Sequence, residues 1–378
     1  MITLWLVFIA IFICCAFSWL MLMRDSRRSN IAGPIPFPLL GSAHILAVDS
    51  YKFLIVLKEL EDTYGNIFSL FILHNRHIIV SNQKVAEGIF SSNELITKGR
   101  SYDFLKPWLG YGLLTAGGQR WKTHRKFLTP TLHFNILRNF VPVFCKNEKI
   151  LIKKLMKVAD GRSIDLFPII ALAALDNVTE SIMAVNINAQ TDTESAYVKA
   201  IECLSNIIST RMRNGFLAID AIFNLTSKRV KQDKALKVLH GQTKQVINAR
   251  RQELDNSNTK TITDPSETGI KNKNAFLDLL LLSEINGNKI DDEHVREEVD
   301  TFMFEGHDTT TSGVAFSLFC ISKHEEIQDK IYNEQKRIFG DDLDKDPTYS
   351  DLQQMKYLEM VIKEALRLYP SVPLIERK

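Results

Sequence analysis

The chain of 378 residues has no large excess of either charge: 47 Lys and Arg stand against 44 Asp and Glu, a net charge of +3. Nucleic-acid binding needs a clustered basic excess, so nucleic acid is not an expected partner. Cysteine is scarce at five residues, and no Cys-x-x-Cys occurs. That excludes a disulfide scaffold and argues against a structural zinc site. Glycine at 17 and proline at 11 are too few for a collagen-like or low-complexity chain. There is no internal repeat. What the chain does have is apolar residues, 45% of the total with 24% charged, which suits a sizeable core and excludes disorder. At about 150 residues per domain the length allows two to three domains, or one large one.

The first feature is a run from Ile2 to Met23 without a charge, in which only Thr3 and Ser18 are polar. As a helix it would span roughly 33 Å, enough for a hydrocarbon core of about 30 Å. A cleaved signal peptide would be shorter, with basic residues before it. Here nothing basic precedes the run, and Arg24, Arg27 and Arg28 follow it. The expectation is a single uncleaved anchor with the body on the cytoplasmic side, where Lys and Arg accumulate. Thiols are then reduced, and the sequons at Asn177 and Asn224 stay unused. Next comes Gly33-Pro34-Ile35-Pro36-Phe37-Pro38-Leu39-Leu40-Gly41. Alternate prolines favour a stiff, extended strap, either a plain linker or a spacer that sets how the body sits on the membrane. The expected organisation is an anchor at 1–23, a basic and Pro-rich hinge at 24–41, and a body at 42–378.

Two short apolar runs, Phe68 to Leu73 and His77 to Val80, flank His74-Asn75-Arg76 and read as a β-hairpin. Most of the remainder shows apolar spacing of three and four. This predicts helices over 84–90, 119–127, 134–159, 169–185, 193–214, 229–253, 275–282, 291–322, 325–339 and 352–368. Residues 256–274 are polar and read as a solvated, mobile loop. The expected class is mainly α with a small β-sheet, preceded by one transmembrane helix.

Within the long helix one stripe runs Val295, Val299, Phe302, Gly306, Thr309, Gly313, Phe316, Cys320, in steps of four and three that stack on one face. A glycine inside a helix costs about 1 kcal/mol against alanine. Two on one face suit either close packing of another helix or a group lying against the backbone. The surrounding Glu305-Gly306-His307-Asp308-Thr309-Thr310 adds an acid and a hydroxyl at mid-helix, which can host water or a small ligand.

This segment resembles the oxygen-binding helix of the cytochromes P-450. Glu364-Ala365-Leu366-Arg367 resembles their ExxR motif, and Trp121-Lys122-Thr123-His124-Arg125 their WxxxR motif. Each is modest alone; in this order, behind an anchor and a Pro-rich strap, they are specific, and the resemblance runs from about Ile31 to the last residue. Glu305 before the glycine and Pro130-Thr131-Leu132-His133-Phe134 look like family four, the branch of fatty-acid ω-hydroxylases and many insect enzymes.

The resemblance implies the P-450 fold and a haem-thiolate monooxygenase. Its cofactor would be haem b (iron protoporphyrin IX), with NADPH electrons arriving through a reductase and cytochrome b5 as a further donor. The setting would be the endoplasmic reticulum membrane, and the substrate a lipophilic small molecule such as a fatty acid, hormone or xenobiotic. Trp121 and Arg125 would hold a haem propionate, for which a planar guanidinium is suited. Glu305 and Gly306 would lie at the cofactor, Glu305 being the residue that in family four can form an ester to a haem methyl. Asp308 and Thr309 would be the acid–alcohol pair that delivers protons during oxygen activation. Glu364 and Arg367 would be a structural pair buried beneath the haem.

The family's axial cysteine sits in a Phe-x-x-Gly-x-Arg-x-Cys-x-Gly loop beyond ExxR. None of Cys14, Cys15, Cys145, Cys203 and Cys320 has that context. The expectation is an N-terminal portion of a complete parent enzyme. By itself it would be an inactive, membrane-anchored helical piece, binding haem weakly or not at all, with His124, His307 or water on the iron. One prediction concerns topology. A glycosylation tag fused after Lys378 stays unmodified in microsomes, because the body is cytoplasmic; glycosylation of the tag, or of Asn177, reverses the assigned orientation.

Overall fold

A computed structural model describes residues 2–129, 134–191, 195–256, 276–282, 284–285, 288–342 and 344–378. The expected polar loop therefore lies outside the described residues apart from Asn256, as do residues 130–133 and the side chain of Phe134. The chain forms two compact units. One holds Met1–Phe104, Glu202–Ala235 and Arg377–Lys378; the other holds Leu105–Ile201 and Leu236–Glu376.

In the first unit, α1 (Ile2–Arg28) is long and apolar enough to cross a membrane and ends on Arg27 and Arg28. The Pro-rich segment after it is not a free extended strap. It turns back at Phe37–Gly41, where Leu39 and Gly41 both take φ of 62°. Its Ala32 carbonyl accepts from Ser69 N at 2.8 Å. It is thus docked on β1 (Ile67–Ile72), which pairs antiparallel with β2 (Asn75–Val80) through a two-residue turn. Preceding the hairpin are α2 (Ala43–Leu46) and α3 (Ser50–Tyr64). Their Leu46, Phe53, Val56, Leu57 and Leu60 pack on Phe68 and Leu70. Helix α3 has no counterpart in the expected elements. Its Phe53-Leu54-Ile55-Val56-Leu57 is an unbroken apolar run, in which a period of 3.6 cannot be seen. Helix α4 (Gln83–Ser91) follows, its first turn capped by Asn82, which accepts from Val85 N at 3.2 Å.

The second unit begins with α5 (Lys106–Leu109) and α6 (Gly118–Leu128). The helix expected over 134–159 is broken into α7 (Phe134–Leu137), a 3-10 turn and α8 (Val141–Val158). Pro142 in the first turn of α8 explains the restart, since a proline lacks the N–H that a continuing helix would use. Helix α9 (Phe167–Ser181) is rich in small buried residues, among them Ala171, Ala173 and Ala174. Helix α10 (Ala196–Arg213) starts in this unit, but most of it, with α11 (Asp220–Phe223) and the first turns of α12 (Ser227–Asn256), belongs to the first. The rest of α12, then α13 (Phe276–Leu282) and a short pair β3 (Glu284–Ile285) and β4 (Asn288–Lys289), belong to the second.

The long helix α14 (Asp292–Ser322) starts where expected, with Asp291 accepting from His294 N at 2.9 Å and acids in its first turn. After it lie α15 (Glu325–Phe339), α16 (Tyr349–Gln354) and α17 (Lys356–Leu368). A capping box between Thr348 and Asp351 starts α16. The helix expected over 352–368 is interrupted at Met355, whose ψ of 63° ends one helix before Glu334 caps the next through Tyr357 N and Leu358 N.

The core of this unit is α14 against α9, and it explains one of the two helix glycines. A Cβ on Gly306 would stand 2.6 Å from Cγ2 of Val178 on α9. The close approach at Gly306 is therefore helix packing, and the space beside it holds Val178. Two effects compete on substitution. Alanine gains about 1 kcal/mol of helix propensity, and overpacking costs typically 1–3 kcal/mol; Val178 is β-branched and cannot swing aside. Gly306→Ala is expected to lower stability by about 1 kcal/mol, whereas Gly241→Ala, with nothing within 4 Å, gains up to about 1 kcal/mol. Thermal unfolding reads both, and Val178→Ala should restore the loss in the Gly306→Ala background.

Candidate active site

Every residue from Val295 to Met303 of α14 is buried, including Arg296, Glu297, Glu298 and Asp300. Ionised groups there need partners. Asp300 accepts from Thr243 Oγ1 of α12 at 2.5 Å and from Arg296, one turn earlier. Burial pushes the Asp300 carboxyl up to about 7, against the pull of Thr243 and Arg296. Arg296 also holds Glu293 and donates to Trp108 O at 3.1 Å. His240 meets the same carbonyl at 2.9 Å, and burial lowers its pKa.

Glu297 and Glu298 bind α6. Arg120 donates to Glu297 at 2.6 Å and His124 Nδ1 lies 2.6 Å from Glu298. The expected cofactor residues Trp121 and Arg125 occupy the same helix. Trp121 is half-buried, Arg125 is exposed, and neither side chain has an acceptor among the described residues.

One to two turns on, α14 presents the acid–alcohol segment. Glu305 and Asp308 are half-buried, and burial alone raises the Asp308 pKa, since no cation opposes it. The Thr309 hydroxyl donates to Glu305 O at 2.6 Å. Ser371 Oγ donates to Thr309 O at 2.9 Å, tying the segment after α17 to this point of α14. A Cβ on Gly313 would lie 3.5 Å from both Leu366 and Ser371, so this glycine faces the end of α17 while Gly306 faces α9. His307 is turned to α9 and is 2% exposed. Its ring nitrogens have no hydrogen-bond partner among the described residues. The Ala171 backbone favours its charged form slightly, but burial prevails and lowers the pKa to about 4.

Glu364 and Arg367 form a bidentate pair at 2.7 and 2.7 Å, but their side chains are 55% and 67% exposed. Of the α17 residues only Ala365 is buried, so the face bearing the pair lies open. The cysteines bring no thiolate to the site. Cys14 and Cys15 lie on α1, Cys203 on α10 and Cys320 near the end of α14. Cys145 on α8 donates to Pro347 O at 3.8 Å, and burial raises its pKa, which favours the thiol.

Sequence reasoning missed Glu297, Glu298 and Arg120 as a set. The available signal was four charged residues, Arg296 to Asp300 around Val299, in a helix that was expected to bury its stripe.

Comparison with known proteins places these motifs in a family. The family model described as Cytochrome P450 matches residues 31–378. Cytochrome P450 4d2 of Drosophila melanogaster is 40% identical over 366 residues, 95% of this chain and 73% of the relative. Cytochrome P450 4c3 of the same organism is 36% identical over 374 residues, 94% and 70% of the two chains. Human Cytochrome P450 4V2 is 38% identical over 361 residues, 93% and 69%.

The buried His307 sets a pH dependence. Its folded pKa of about 4 lies below the unfolded value near 6.5. The unfolded chain therefore takes up the proton first, and stability falls as pH drops from about 6.5 to about 4, by up to about 3 kcal/mol. Chemical denaturation of the wild type and of His307→Leu should show the gap between them change with pH across this window and become constant above about pH 7. A gap that stays constant from about pH 7 down to about pH 4 would mean that the buried imidazole does not stay neutral.

Proposed function

The chain belongs to the cytochrome P450 family, and from that premise we propose a membrane-bound haem-thiolate monooxygenase that inserts one oxygen atom of O2 into a lipophilic substrate of the fatty-acid, hormone or xenobiotic class. In this reading haem b is the cofactor, and NADPH supplies electrons through a reductase at the endoplasmic reticulum membrane, with cytochrome b5 as a further donor. The body sits on the cytoplasmic face behind α1.

The residues present fit the carboxylate edge of haem. Trp121 and Arg125, four apart on one helix, are donors without acceptors among the described residues, and an unpaired guanidinium suits a propionate. Bound haem supplies the redox iron at which O2 is reduced and one of its atoms transferred. The axial thiolate that the family uses is matched by none of the five cysteines.

The observation that carries the reading is Asp308. It is a half-buried carboxyl, without hydrogen-bond partner or cation among the described residues, whose pKa is raised by burial. Such a group holds its proton closer to neutrality than a solvated carboxylate, as a proton donor should. Thr309 is the next residue. Its own proton rests on Glu305 O, which leaves its lone pairs to accept. Passing a proton onward therefore requires the hydroxyl to turn away from Glu305 as it receives one from the Asp308 side.

The test uses the whole enzyme, with the family's cysteine loop present. Thr309→Ala should keep its haem content while hydrogen peroxide released per NADPH rises severalfold. Asp308→Asn should lower turnover by about a hundredfold, the scale of one general acid. NADPH use and product falling together, with no added peroxide, would remove both residues from proton delivery. A second reading applies to residues 1–378 as a separate polypeptide, and it rests on none of the five cysteines having the Phe-x-x-Gly-x-Arg-x-Cys-x-Gly context: this chain binds haem weakly, through histidine or water, or not at all, and does not oxygenate. Reduced under CO, it should lack the thiolate-ligated absorption band; that band appearing would reassign one of its cysteines as the ligand.

A further inference from the structure

Glu298 is 2% exposed and meets two donors from different elements. His124 Nδ1 of α6 is 2.6 Å away, and the backbone N–H of Leu113, in the loop before α6, donates at 3.1 Å. A carboxylate only accepts, so Nδ1 carries the proton in this pair. Beside it, Glu297 takes Arg120 at 2.6 Å. The loop lies against α14 because Gly110 and Gly112 have no side chains: a Cβ at Gly110, where φ is 53°, would fall inside the Glu297 carboxylate, and one at Gly112 would overlap Thr301 Oγ1.

Arg120 and His124 are four residues apart and form one stripe of α6. Trp121 and Arg125 form the stripe about 100° further round. Holding the first stripe at two points fixes the roll of the helix, and that decides where the second stripe aims. We propose that Glu298 is a positioning residue: by holding both His124 and the Leu113 N–H, it sets the roll of α6 at which Arg125 meets the haem carboxylates. This rests on the reading of Arg125 as the carboxylate anchor given above. A glutamine in place of Glu298 cannot serve, because it offers one oxygen to two donors and turns its own NH2 toward one of them.

The experiment titrates the full 378-residue chain with haem and with haem dimethyl ester, which lacks the carboxylate charges. Binding is followed by porphyrin absorbance. The wild type should prefer haem by about tenfold, the size of one charge-assisted hydrogen bond. Glu298→Gln and Arg125→Leu should each abolish that preference while leaving ester affinity within about twofold, and the double variant should lose nothing more. Hydrogen exchange at the Leu113 amide should quicken in Glu298→Gln and not in Arg125→Leu. His124→Asn probes the same contact from α6 if Glu298→Gln does not fold. If Arg125→Leu abolishes the preference but Glu298→Gln and His124→Asn keep it, or weaken both porphyrins equally, the positioning role is wrong and the anchor stands. If the wild type shows no preference, or Arg125→Leu retains it, the anchor itself is wrong and the positioning role falls with it.

Discussion

The burial of charge in the first half of α14 is the constraint on which the second unit depends. From Val295 to Met303 the helix has no solvent-facing side, yet it carries Arg296, Glu297, Glu298 and Asp300. A buried ion without a partner costs several kcal/mol. Each of these four is therefore a demand on another part of the chain. Asp300 draws Thr243 of α12, Arg296 draws the Trp108 carbonyl at the end of α5, and the two glutamates draw α6 with the loop before it. Apolar contact such as Trp108 on Phe304, with ring centroids 4.5 Å apart, fills the gaps. Apolar contact is not directional, whereas the charged contacts fix register and roll.

These charged contacts all lie in the first half of α14. Hydroxyls bond back to the carbonyl four residues earlier along both halves, at Thr301, Thr309, Thr311 and Ser317, a habit that bends helices slightly. Asp308 and Thr309, proposed above for proton delivery, sit where the two halves meet. There a carboxyl is shielded enough to raise its pKa but is not locked into an ion pair. Asp300, eight residues earlier and fully buried, is held by Arg296 and Thr243 and so is committed to structure. The same residue type therefore meets two environments along one helix, one with a cation and a hydroxyl within reach and one shielded by burial alone.

Much of this was legible in the sequence where the cause is local. The hairpin, the start of α14 at Asp291 and most of the helices follow from period, caps and turn residues within a few positions. The acid–alcohol segment and the Trp121–Arg125 pair were singled out by their resemblance to family motifs; what local pattern supplied is that each lies on one helix, α14 and α6. The partners of Glu297 and Glu298 were not, since they lie 174 to 185 positions away and no local pattern encodes which base a buried acid will meet. The break at Met355 and the turn of the Pro-rich segment onto β1 were missed for a related reason. Each depends on a contact made elsewhere, through Glu334 in one case and Ser69 in the other.

The two glycines of α14 carry the same lesson to the site itself. Seven residues apart, they fall on nearly one face, and in sequence they suit either another helix packed closely or one group lying against the backbone. In the structure they answer to two different neighbours. Gly306 admits Val178 of α9, an apolar contact that locks the helix from behind. Gly313 admits Leu366 and Ser371, and the Ser371 hydroxyl reaches past it to the Thr309 carbonyl. A side chain at Gly313 would meet Leu366 and Ser371 at 3.5 Å, at ordinary contact distance, so the cost there is small; at Gly306 it would be an overlap. Gly306 is thus required by packing, while at Gly313 the segment after Arg367 bonds to the Thr309 backbone with space that a small side chain would still leave. Through that bond the exposed Glu364–Arg367 helix is coupled to Thr309, although neither member of the ion pair touches it.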